Sequence, residues 1–80
     1  MVEFNKFSAG KVVKNIRNGK GISQKILSGL AGLGRSHLAM IESGKKQPNF
    51  ETIWKIANAF EMPVHKLVML IEEDAKSQNK

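Results

Sequence analysis

The chain has 80 residues, enough for one small domain with a modest core, and no cysteine, which excludes disulfides and thiolate metal centres as sources of stability. Its longest strongly apolar run, Leu67 to Ile71, is too short to cross a membrane, and the start "MVEFNKF" has no apolar stretch with a cleavage site, so a cytoplasmic protein is expected. The net charge of +6 is unevenly spread: Lys6 to Lys46 hold nine Lys and Arg residues against Glu42 alone, which points to a polyanion facing the first half of the chain.

Helical spacing of apolar residues predicts five helices and no strand. The first is expected from Ser8 to about Asn18, with Ser8 as cap, Phe7 folded onto Val12, and Val12, Val13 and Ile16 as its buried stripe. Gly19 and Gly21 end it. Ser23 caps a second helix of about eight residues that buries Leu27 and Ala31 and stops at Gly32, a residue free to take the left-handed conformation of a sharp turn. Leu33 packs inward at that turn, and a third helix runs from Gly34 or Arg35 to Gly44. Asn49 caps a fourth, whose Phe50, Ile53, Trp54, Ile56, Ala57 and Phe60 are expected to supply most of the core. Pro63 opens a fifth that buries Val64, Leu67, Val68 and Ile71. The expectation is a single domain over residues 1–80, its core at about 8–71 and its tail, 76–80, frayed.

Two short helices joined by a glycine turn are the physical signature of a helix-turn-helix. The positions Ser23-Gln24, Leu27, Ala31, Gly32, Ile41-Glu42, Gly44, Pro48, Ile53, Ala57 and Phe60 resemble the Cro and lambda-repressor-like helix-turn-helix domains, the XRE family, over roughly Val12 to Leu67. The resemblance implies a five-helix all-α DNA-binding domain whose third helix enters the major groove. Its compact length is similar to that of restriction-modification controller proteins and small phage or mobile-element repressors.

The third helix is suited to such a role on its own terms. Leu38 and Ile41 point to one side, whereas Arg35, Ser36, Ala39, Met40 and Ser43 gather on the other. Arg35, Ser36, Ala39 and Met40 are the candidate base contacts: an arginine can donate twice to guanine or hold a phosphate, and apolar side chains can meet a thymine methyl. Gln24, His37, Ser43, Lys45, Lys46 and Asn49 are the candidate phosphate contacts, those of Gln24 and of the loop at Lys45, Lys46 and Asn49 following from the resemblance. The resemblance also pairs Arg17 with Glu42 as a structural ion pair, which would account for the one acid in the basic half.

Some positions depart from the family pattern. Ser28 stands where alanine is usual, Gly34 replaces a Ser or Thr cap, Gly29 weakens the second helix, and Ile26 and Leu30 fill positions that are generally polar. A two-fold dimer would read two half-sites about 34 Å apart. Met69 and Leu70, left over once the fifth helix faces the core, are its expected seam. No metal site, cofactor or enzymatic set is evident: "GLAGLG" is not a dinucleotide fingerprint, and no Gly-Lys pair precedes Ser or Thr. The expected function is a homodimeric, sequence-specific regulator of transcription, a repressor, on a palindromic duplex site. The alternative is a protein-interaction module or antitoxin that keeps the fold and docks through Ile26, Leu30 and the fifth helix.

Overall fold

The computed structural model describes residues 1–78 and contains α1 (Ser8–Gly19), α2 (Gln24–Ala31), α3 (Arg35–Glu42), α4 (Phe50–Ala59) and α5 (Val64–Gln78). α1 packs on α3 and α5, α2 on α3 and α4, and α4 on α5. Val12, Val13, Leu27, Ala31, Leu38, Ile53, Ile56, Ala57, Phe60 and Leu67 meet in one core, with Ile16, Ile22, Leu33, Leu70 and Ile71 partly buried against it.

The cap residues of α2 and α4 act through their side chains. Ser23 Oγ accepts from Ile26 N at 3.1 Å, and Asn49 Oδ1 from Thr52 N at 2.8 Å. Gly32 ends α2 at φ 68°, ψ 34°, the left-handed region in which a side chain is strained, and Leu33 N returns to Ser28 O at 2.9 Å. Ser28 is buried and satisfies its own hydroxyl by donating to Lys25 O at 3.0 Å.

α1 begins differently from expectation. Ser8 is not its cap: the residue is 1% exposed, with no hydrogen-bond partner for Oγ. Phe7 holds the cap position without a side-chain bond, and Asn5 ties the turn before it, its Oδ1 accepting from Phe7 N at 2.8 Å and its carbonyl from Ser8 N at 3.1 Å. Phe7 stays outside the core and lays its ring on Gly44 instead of closing on Val12. Gly10 lets α1 approach α3: a Cβ there would collide with Ile41 O and come to 2.9 Å from Glu42 Cα. α3 stops at Glu42, two residues early, and Gly44 takes φ 82° in the loop that follows.

Three residues expected in the core lie outside it. Phe50, Trp54 and Val68 are 65%, 50% and 43% exposed. At about 100° per residue, Ile53, Ile56, Ala57 and Phe60 span the arc that α4 buries, and Trp54 sits about 110° from its middle. Phe50 and Trp54 stack edge to face on that flank, centroids 5.9 Å apart. The tail expected to fray from residue 76 is helical to Gln78, because Ala75 is buried and Asp74 faces Lys11 Nζ of α1 at 3.5 Å. Asn79 and Lys80 lie outside the described residues.

Candidate nucleic-acid interface

The interface is built on the pair that holds α3 in place. Arg17 Nε donates to Glu42 Oε2 at 2.8 Å and Nη2 to Oε1 at 3.0 Å, while Nη1 donates to Ile22 O at 2.9 Å. Gln24 Nε2 adds a third donor to Glu42, on Oε1 at 3.0 Å. Both charged side chains are nearly closed to solvent, at 11% and 3% exposed. The hydrogen bond to Glu42 raises the pKa of Arg17 against the opposing effect of burial, so the guanidinium stays charged except in strong alkali. One carboxylate thus ties the last turn of α1, the first residue of α2 and the last residue of α3 into a fixed frame.

On that frame α3 turns Leu38 and Ile41 into the protein, at 0% and 1% exposed. Arg35, Ser36 and Met40 are exposed on the opposite side, with Ala39, half-buried, between Arg35 and Ser36, and His37, half-buried, at the edge. The residues after α3 fold back on its last turn: Met40 O accepts from Lys45 N at 3.0 Å, Lys46 N at 3.1 Å and Ser43 Oγ at 3.1 Å. Lys45 and Lys46 therefore have anchored backbones and exposed side chains.

Three candidate phosphate contacts already have partners. Ser43 spends its hydroxyl proton on Met40 O, Asn49 uses Oδ1 as the α4 cap, and Gln24 gives one amide N–H to Glu42. Asn49 and Gln24 each keep an N–H that can still donate to an anion; Ser43 has to give up a bond to do so. The two seam candidates diverge, since Leu70 packs partly into the core while Met69, about 100° round α5, is 45% exposed.

The electrostatics favour an anion. Glu42 is neutralised by Arg17, and Lys11 is taken up by Asp74. Among the described residues, Lys6, Lys14, Lys20, Lys25, Arg35, Lys45 and Lys46 have no carboxylate within 4.0 Å. No helix there is long and apolar enough to cross a membrane.

The sequence model of the helix-turn-helix family matches residues 13–67, from the middle of α1 into α5. The chain belongs to the helix-turn-helix family. It is a DNA-binding transcription regulator of the XRE type, with five helices and no strand among the described residues. The restriction-modification controller protein C.AhdI from Aeromonas hydrophila is similar at 31% identity and a TM-score of 0.74, over 78% of this chain and 94% of that one. Two crystal structures of the clp gene regulator ClgR from Corynebacterium glutamicum share the fold at 17% identity. One has a TM-score of 0.79 over 90% of this chain and 94% of its own. The other reaches 0.84 over 98% and 83%. No match is found among curated protein sequences.

Reading the sequence missed Gly10, the bond from Gln24 to Glu42, and the seat of Phe7 on Gly44. A glycine inside a helix does not announce what crosses it. The surplus apolar residues at Phe50, Trp54 and Val68 were a usable signal, since they overfill the arc one helix face can bury.

Proposed function

We propose that the chain is a repressor that binds a palindromic duplex operator as a homodimer, with α3 of each copy in the major groove. The observation that carries this reading is the outer face of α3: Arg35, Ser36 and Met40 lie exposed with no acid beside them, between the anchored side chain of Gln24 and the anchored backbone at Lys45–Lys46. Such a face offers a bidentate donor, a hydroxyl and an apolar tip to base edges, while the flanking N–H groups and cations take phosphates. Similarity to a restriction-modification controller protein over 94% of that protein's length supports a DNA-binding regulator of this kind.

In this proposal the seam of the dimer is the flank of α4 and α5. Phe50, Trp54 and Val68 border an open groove of about 670 Å³, also lined by Met62, Pro63 and Val64. A second copy is the occupant that fits, because it removes this apolar surface from water by two-fold self-contact and leaves α3 free. Met69, 45% exposed and next to Val68 on α5, belongs to the same proposed seam, whereas Leu70 packs partly against the core.

Methylation interference on a bound duplex tests the groove assignment. Methyl groups on guanine N7, in the major groove, should block binding, whereas methyl groups on adenine N3, in the minor groove, should be tolerated; the reverse pattern refutes it. The second reading, a protein-interaction module or antitoxin, draws on Ile26 and Leu30, which stand 51% and 63% exposed on α2. Charge reversal at Arg35 separates the two: a DNA reader loses specific binding, and an interaction module keeps its partner.

A further inference from the structure

The short turn ahead of α1 is built into the loop that follows α3. Asn5 Oδ1 accepts from Phe7 N, which fixes the direction of the turn. The ring of Phe7 then lies so close to Gly44 that a Cβ there would come to 2.8 Å from Cε1. Gln47 Nε2 donates to Lys6 O at 2.7 Å, closing the same contact from the other side across 41 residues of sequence. Lys6 Nζ sits 5.2 Å from the centroid of the Phe7 ring, on a side chain that is otherwise exposed.

These contacts contribute little to the core, since Phe7 is 54% exposed and Gln47 is at the surface. What they accomplish is placement. An ammonium from the far end of the chain is parked beside the loop carrying Lys45 and Lys46, and none of the three has a carboxylate within 4.0 Å among the described residues. We infer that Lys6 is a DNA phosphate contact, held in register with Lys45 and Lys46 by Phe7 and Gln47, so that the interface extends from the α3 loop onto the N-terminal turn. This rests on the DNA-binding reading above.

The test is the salt dependence of binding to one duplex, titrated from 0.05 to 0.3 M salt, for the unaltered chain, Lys6→Gln, Lys6→Arg and, as a charge control, Lys66→Gln on α5. One phosphate contact contributes about 0.9 to the slope of log K against log salt. Lys6→Gln should lower the slope by about that amount and weaken binding roughly 3–10-fold near 0.1 M, alike on preferred and unrelated duplexes. Lys6→Arg should restore it, and Lys66→Gln should change it far less, because a distant exposed charge is screened beyond ~10 Å. Gln47→Ala should reproduce part of the loss and add little to Lys6→Gln, the mark of two residues acting through one contact. Equal slopes for Lys6→Gln and Lys66→Gln overturn the assignment of Lys6 and leave the DNA-binding reading standing. Additive losses for Gln47→Ala and Lys6→Gln overturn the positioning role of Gln47. An unaltered chain that binds no duplex at any salt overturns both this inference and the reading on which it rests.

Discussion

Glu42 accepts three hydrogen bonds with its side chain 3% exposed, so the cost of losing its partner is the cost of stranding a buried charge. Arg17→Ala is expected to destabilise the fold by about 3 kcal/mol or more, a large share of the total stability of an 80-residue chain, and urea unfolding measures it. The sign on the arginine side follows from the raised pKa of Arg17: that contribution is complete at neutral pH and is lost as pH climbs into strong alkali. The glycines supply a paired prediction. Gly10→Ala drives a methyl into Ile41 O and the backbone at Glu42, and should cost roughly 2 kcal/mol or more. Gly29→Ala meets nothing within 4 Å in a helical segment, and should instead stabilise by up to about 1 kcal/mol. Thermal melts of the two variants should move in opposite directions. The sequence alone cannot rank these glycines, since their difference lies in which backbone crosses them, whereas the pairing of Arg17 with Glu42 was legible through the family resemblance.

At the scale of elements, local chemistry was legible where it acts within a few residues. Ser23, Asn49 and Gly32 each do what their residue type at that position dictates, because a cap or a left-handed turn depends on neighbouring backbone alone. Phe50, Trp54 and Val68 were misplaced for the opposite reason: which part of a wide apolar arc is buried depends on the helix packed against it. Ser8 shows the same limit, since a serine before an apolar stripe reads as a cap, yet Phe7 holds that position and Ser8 is buried as the first helical residue. The α3 element yields a functional prediction. If Arg35 reads a guanine, Arg35→Ala should lose about 1–3 kcal/mol of discrimination at a single base pair of each half-site, measured by competition among single-base variants, with the other positions unchanged. Uniform weakening across all variants would reassign Arg35 to a phosphate.

For the whole molecule, the proposed seam on α4 and α5 carries a geometric requirement: it has to set the two α3 helices about 34 Å apart on one side of a duplex to meet half-sites one turn apart. Trp54→Glu places a charge in that seam and should weaken self-association by about 2 kcal/mol or more, some 30-fold in Kd, while far-UV dichroism stays unchanged because Trp54 is not in the core. Sedimentation at micromolar protein reads the shift. The basic first half, legible from charge alone, accounts for attraction to duplex DNA, but attraction is not readout. The most direct test of readout is a selection of bound duplexes from a random pool. A palindromic consensus with half-sites about one helical turn apart is the expected result. Salt-sensitive binding with no preferred sequence would contradict it, leaving the positive surface as an electrostatic patch and the exposed residues of α2 as the better guide to function.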